Sequence, residues 1–149
     1  MMRTWLWLKI AVFIALGVAL GLGIFTFIYA RGGSYFSDDP RACVNCHIMN
    51  DVYNSWSRSS HHAVATCNAC HVPHDFAQKW LAKARNGFKH AVAFTLQNFP
   101  EPIRITEANQ HLLQQNCMEC HSVIVSEIVQ HGNFERYCFE CHRGVGHGP

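Results

Sequence analysis

The sequence predicts a mainly α chain with much irregular structure: one N-terminal membrane-spanning helix followed by a small domain. Three observations predict it. An uncharged apolar run of membrane length lies near the N-terminus. The remainder carries eight cysteines in four pairs of identical spacing, and no stretch alternates convincingly as a half-buried strand. The 149 residues allow one domain plus a small extra element. They are 49% hydrophobic and 15% charged, which excludes a disordered or solvating chain. A formal net charge of +2, with no block of five basic residues, excludes a nucleic-acid-binding surface.

The apolar run spans Ile10 to Ala30, IAVFIALGVALGLGIFTFIYA, 21 residues without a charge. As a helix it rises about 31 Å, the thickness of a bilayer's hydrocarbon core. Trp5 and Trp7 precede it and Tyr29 stands at its end, as interfacial aromatics do. A cleaved signal sequence has an apolar region of roughly 7–15 residues and small residues at its cleavage site. This run is longer and ends Phe27-Ile28-Tyr29-Ala30, so residues 1–31 are expected to remain as an anchor. Gly17 and Gly21 have the spacing of a helix-packing face, although glycines at 17, 21 and 23 can equally be tolerated singly in a membrane helix. Arg3 and Lys9 precede the span and only Arg31 borders it after, which places the N-terminus in the cytoplasm and residues 32–149 on the far side.

The cysteines fall at Cys43/Cys46, Cys67/Cys70, Cys117/Cys120 and Cys138/Cys141, and each pair is followed at once by a histidine: His47, His71, His121 and His142. C-x-x-C-H is the attachment signature of c-type haem. Two thiols add across the two vinyl groups of one haem, and the next residue offers an imidazole to the iron. Four haems have eight vinyl groups, so no cysteine is left over. Zinc knuckles need four ligands from two pairs and no histidine after each. A disulfide framework imposes no equal spacing, and a thioredoxin-like pair occurs once, on a βαβ unit. Covalent attachment takes place on the outer side of the bacterial cytoplasmic membrane, in agreement with the charge bias. The haem propionates would make the assembled surface more acidic than the bare chain.

Arg31 to Arg41 is a polar linker, with Ser37-Asp38-Asp39-Pro40 as a turn or helix start. Residues 43–75 hold two motifs. Residues 76–97 form the one long helical pattern, broken by Phe99-Pro100-Glu101-Pro102. A second helix is expected from Thr106 to Gln115, and residues 117–149 hold the other two motifs. Roughly 119 residues beyond the anchor leave about 30 for each haem, so the haems themselves must be the core. At such density adjacent porphyrins lie within tunnelling distance. The two pairs of motifs hint at an internal duplication.

On the long helix, Lys79, Lys83, Asn86 and His90 share one face, with Ala77, Leu81, Ala84, Phe88 and Val92 opposite and Trp80 at the border. This is either an ordinary solvated lysine face or a cationic, imidazole-bearing face turned toward a haem. In the second case His90 could take a proton at neutral pH and a lysine could hydrogen-bond a quinol oxygen or a propionate.

A single anchor followed by four such motifs resembles the NapC/NirT family of membrane tetrahaem quinol dehydrogenases. The short length is most similar to the branch that forms the small subunit of cytochrome c nitrite reductase. The resemblance covers essentially the whole chain. It rests on Cys43-Val-Asn-Cys-His-Ile-Met49, on Ser60-His61-His62, on Lys83-Ala84-Arg85 with His90-Ala91-Val92-Ala93-Phe94-Thr95, and on Cys141-His-Arg-Gly-Val-Gly-His147. It implies Met49 as ligand of haem 1, where position alone would choose His47. It also implies His71 for haem 2, with a lysine from the catalytic partner as second ligand, His121 with His147 for haem 3, and His142 with His62 for haem 4. Lys83 and His90 match the quinol-site positions. Some relatives carry Asp where this chain has His90, which leaves open whether His90 touches the haem 1 iron, accepts a proton, or does both. His61 could exchange roles with His62. His74, His111 and His131 are read as surface residues or propionate partners, and Met118 as packing.

The implied activity is oxidation of menaquinol beside haem 1, with electrons passed to a periplasmic multihaem nitrite reductase in a hetero-oligomer at the membrane lipid. A methionine ligand would raise the haem 1 potential and favour electron entry. Relay to another reductase such as nitrate reductase, a pure carrier without its own quinol site, and a simple anchoring subunit are the competing readings.

Overall fold

The computed structural model describes residues 2–131 and 136–147, with backbone alone at 129–131. The chain divides into two compact units, Met1–Ser37 and Asp38–Pro149.

The first unit is helix α1, Met2–Tyr29, whose 28 residues run unbroken through the apolar stretch and begin eight residues before it. Its side chains are exposed along the whole length, as suits a helix that is apolar all round. Among the described residues it is the one helix long and apolar enough to cross a membrane. A Cβ at Gly17, Gly21 or Gly23 would meet nothing within the chain. Arg31 adopts a left-handed conformation, φ 51°, and a tight turn over Gly32–Phe36 follows. Gly32 comes so close to the Phe27 ring that no Cβ fits between them. This turn packs back on the end of α1 and belongs to the same compact unit, which runs to Ser37.

The second unit begins with two short 3-10 turns, Pro40–Asn45 and His47–Met49. Helices α2 (Asn50–Trp56), α3 (Cys67–His71), α4 (Phe76–Leu96), α5 (Glu107–Cys120), α6 (Ser122–His131) and α7 (Cys138–Cys141) follow. No strand occurs among the described residues. Asp39 caps the first turn, its Oδ1 accepting from the Arg41 N–H at 2.9 Å, as the Ser-Asp-Asp-Pro run suggests. Asp75 caps α4 in the same way, accepting from the Gln78 N–H at 2.9 Å. Gln97, left-handed at φ 53°, ends that helix within a residue of the predicted limit. Helix α5 starts after Thr106 as expected but continues past Gln115 into the third motif. Helix α6 occupies the connection between the third and fourth motifs, for which the pattern predicts no element.

The protein core is thin. Among the described residues Trp56 and Val72 are the only buried apolar side chains, while Phe76, Leu81, Phe88, Phe94, Val123 and Ile124 are exposed. The Pro40–Asn45 turn packs on α3, α3 on α5, and α5 on α7, so the four cysteine motifs are contiguous in chain order.

Candidate haem-binding and quinol site

None of the eight cysteines is paired in a disulfide. Cys67, Cys70 and His71 lie on α3. Cys117 and Cys120 form the end of α5 with His121 as its cap, and Cys138 and Cys141 bound α7 with His142 as its cap. In these three motifs one helical turn brings residues i and i+3 to the same face, the arrangement that two thiols need to grip one porphyrin edge.

The first motif departs from that arrangement. Cys43 lies within the Pro40–Asn45 turn, but Cys46 stands between that turn and His47–Met49 in an extended conformation, φ −100° and ψ 119°. The extended residue interrupts the helical winding, so Cys43 and Cys46 do not share one helical turn as the other pairs do. Cys46 is also exposed, as are Cys120 and Cys141, whereas Cys43, Cys67, Cys70, Cys117 and Cys138 are half-buried. The assignment of Cys46 to haem attachment rests on its spacing from Cys43 and on the following His47, not on its local geometry.

The thiols of successive motifs influence one another. Cys43 shares a hydrogen bond with Cys67, which lowers Cys43 to about 7 and raises Cys67. Burial, then Cys120, raises Cys70. Burial, then Cys138 and Cys70, pushes Cys117 up to about 11. Asn116, 5% exposed, donates to the backbone oxygens of Cys70 at 2.9 Å and Val72 at 3.0 Å, tying the second motif to the third.

The histidines fall into pairs. The rings of His71 and His147 have centroids 5.9 Å apart, and those of His61 and His121 6.0 Å apart. Metal–nitrogen bonds of about 2 Å would put two trans imidazoles on one metal at about this ring separation, roughly 6 Å. Nδ1 of His147 faces the Val52 carbonyl at 3.3 Å and Nδ1 of His61 the Val145 carbonyl at 3.0 Å, contacts that orient each ring and free its Nε2. Burial, and secondarily His147, lowers His71 to about 4, so its imidazole is in the neutral, ligating form. The structure therefore brings His147 to His71, where the resemblance implies His121. It brings His61 to His121 and sets the His62 ring against Trp56 at 5.1 Å, where the resemblance implies His62 with His142. His142 is exposed. Met49 is half-buried while His47 is exposed. His74 has both ring nitrogens engaged, by Glu119 and by the Ala69 carbonyl, each at 2.9 Å. His111 meets the Tyr137 hydroxyl, and the side chain of His131 lies outside the described residues.

Helix α4 turns its lysine face inward. Lys83 is 8% exposed, whereas Leu81 and Phe88 on the opposite face are 70% and 73% exposed. The bland picture of a solvated lysine face does not hold, because an anion and the first motif lie on that side. Lys83 Nζ reaches Asp38 Oδ1 at 3.0 Å, stands 5.4 Å from the Trp80 ring centre, and favours the Cys43 thiolate. Asp38 also receives Lys79 Nζ at 2.5 Å and Asn68 Nδ2 at 2.7 Å. These partners, Lys79 first, hold its carboxyl well below the usual carboxylate range. His90 follows Lys83 by two helical turns on the same face, at the exposed end, with enough shelter for desolvation to lower its pKa.

Residues 6–149 match the N-terminal region of the NapC/NirT cytochrome c family. The chain belongs to that family. It is 38% identical over 147 residues to the cytochrome c-type protein NrfH of Wolinella succinogenes, covering 91% of this chain and 83% of that one. It is 31% identical to the cytochrome c nitrite reductase subunit NrfH of Nitratidesulfovibrio vulgaris, covering 85% and 78%. The NapC protein of Escherichia coli K12 is 29% identical, covering 97% and 88%. In three dimensions the chain resembles one from a crystal structure of the cytochrome c nitrite reductase NrfHA complex bound to the HQNO inhibitor. That match has a TM-score of 0.67 and 31% identity, and covers 91% of this chain and 90% of that one. As a membrane-anchored member of a cytochrome c family, the chain binds haem c covalently. Cysteines spaced i and i+3 and outside any disulfide, imidazoles paired near 6 Å and a core short of apolar side chains all fit that group. Sequence reasoning missed Asp38 and Asn116. Neither belongs to a motif, and their partners lie 45 and 46 residues away.

Proposed function

We propose that this chain is the membrane-anchored, quinol-oxidising subunit of a cytochrome c nitrite reductase, taking electrons from menaquinol and passing them to a periplasmic multihaem catalytic subunit. The observation that carries it is Lys83: a buried ammonium on α4, held beside the first cysteine motif. The higher identity to the two NrfH proteins than to NapC favours a nitrite over a nitrate reductase as partner.

Four haems are held by the eight thiols, Cys46 included, and haem c when bound supplies the one-electron chemistry that quinol oxidation needs. Lys83 donates a hydrogen bond to a quinol oxygen and favours its deprotonation. His90, neutral at neutral pH, takes up a released proton. Met49 serves the first motif, supported by its burial relative to His47. His71 and His147 serve the second, and His61 and His121 the third. This pairing departs from the one the resemblance implies. It leaves exposed His142, in the last motif of the series, as the place for a ligand such as lysine from the catalytic partner, rather than His71. The positive residues flanking α1 support a periplasmic second unit.

The test is oxidation of a menaquinol analogue by the purified protein in detergent, and by its complex with the catalytic subunit, followed optically. Lys83→Leu and His90→Leu should each slow quinol oxidation severely, to a residual rate that is still measurable, while four dithionite-reducible haems remain. Unchanged quinol kinetics in both variants would overturn the site.

A further inference from the structure

We infer that Asp38 is a positioning residue of the quinol site: its carboxylate holds the Lys83 ammonium in place at the first cysteine motif. The inference rests on the assignment of Lys83 to that site. Asp38 is the first residue of the second unit and shares no element with α4, yet its two oxygens span three donors. Oδ1 takes Lys83 Nζ at 3.0 Å and Asn68 Nδ2 at 2.7 Å, and Oδ2 takes Lys79 Nζ at 2.5 Å. Lys79 and Lys83 stand one helical turn apart on the same face, where two ammonium groups repel. Lys83 is the more buried of the two. A carboxylate between them offsets the repulsion and fixes the position of the Lys83 Nζ. One positive charge remains in excess, which is what a quinol oxygen losing its proton requires.

Asn68 gives the arrangement its stiffness. It lies between Cys67 and Cys70, so its amide anchors the carboxylate to the second motif while the lysines anchor it to α4. Asp38 itself is not the proton acceptor, since three donors keep it ionised. Its contribution to quinol oxidation runs through Lys83.

The experiment compares wild type, Asp38→Asn, Asp38→Glu, Lys83→Leu and the Asp38→Asn/Lys83→Leu double variant in the purified complex. Haem content, visible spectrum, and kcat and KM for a menaquinol analogue are read for each. Asp38→Asn should keep four haems and an unaltered spectrum while kcat/KM falls about tenfold or more, and Asp38→Glu should recover most of the loss. In the Lys83→Leu background Asp38→Asn should add nothing. Wild-type kinetics in Asp38→Asn beside an impaired Lys83→Leu would overturn the role of Asp38 alone, as would a further additive loss in the double variant. Wild-type kinetics in Lys83→Leu would overturn the place of Lys83 in the quinol site and this inference with it. If Asp38→Asn falls short of four haems, Asn68→Ala takes its place. It removes the carboxylate's third hydrogen bond and leaves both lysines, so a smaller fall in kcat/KM is expected, and none would overturn the proposal.

Discussion

A histidine can ligate a haem iron only when its ring is held with one nitrogen free. In His61 and His147, ligands in the proposed pairing, a backbone carbonyl at Nδ1 holds the ring, on Val145 and Val52 respectively. His62 has instead an edge contact with Trp56, whose Nε1–H is fixed on the Ala65 carbonyl at 3.1 Å. His61→Ala and His147→Ala should therefore each convert one low-spin haem to a high-spin form, measured by electron paramagnetic resonance. His62→Ala should leave all four signals unchanged. A change in His62→Ala with none in His61→Ala would restore the assignment that the resemblance implies, since His147 is a ligand in both. Met49→Leu should alter the spectrum and potential of one haem, and no change would return that role to His47. The motif histidines were legible because they adjoin a cysteine. The resemblance supplied His62 and His147 as distant partners, but the contacts that orient His61 and His147 were not legible, because His61 meets Val145 across 84 residues and His147 meets Val52 across 95. Only the fold decides which imidazole faces which. Nor was the conformation of Cys46 legible: equal C-x-x-C spacing says nothing of whether the two thiols lie on one helical turn or across a break between two.

Helix α4 shows what an element's pattern conveys and what it omits. Asp75, the apolar spacing and the Pro100 and Pro102 breaks were enough to place it from Phe76 to Leu96. Which face turns inward was not readable, because periodicity defines two faces without saying what lies opposite. The inward face is set by Asp38, an anion distant in sequence that pairs with Lys79 and Lys83. A similar long-range tie joins α3 to α5. The buried Asn116 amide satisfies two backbone oxygens that would otherwise lack this donor. Asn116→Ala strands those oxygens and should cost about 1–3 kcal/mol in denaturant unfolding of the haem-loaded protein. Stability equal to wild type would show that water or backbone movement replaces the amide. Quinol kinetics should be little changed, since the residue is remote from Lys83 in its bonding.

At the scale of the molecule, the anchor and the haem-bearing domain were legible from two compositional facts: an uncharged run of bilayer length and cysteines in four identical pairs. The thin core follows from the same arithmetic. With Trp56 and Val72 as the buried apolar side chains among the described residues, the second unit gains little from its own packing. Its contiguous motifs, from the Pro40–Asn45 turn through α3 and α5 to α7, need the prosthetic groups between them for apolar contact. Loss of one group should thus weaken its neighbours as well as its own motif. The variant Cys67→Ser/Cys70→Ser removes both thiols of the second motif, which lies between the first and the third. It should not accumulate as a protease-resistant three-haem protein: haem staining with limited proteolysis should find the second unit degraded, with the wild type protected. Cys138→Ser/Cys141→Ser, at the end of the series, disturbs one neighbouring motif instead of two and should be the milder change. A protease-resistant three-haem product from the inner replacement, with native-like circular dichroism, would mean that the polypeptide folds without its prosthetic core. The stability of the domain would then have to come from backbone ties such as Asn116 rather than from the haems.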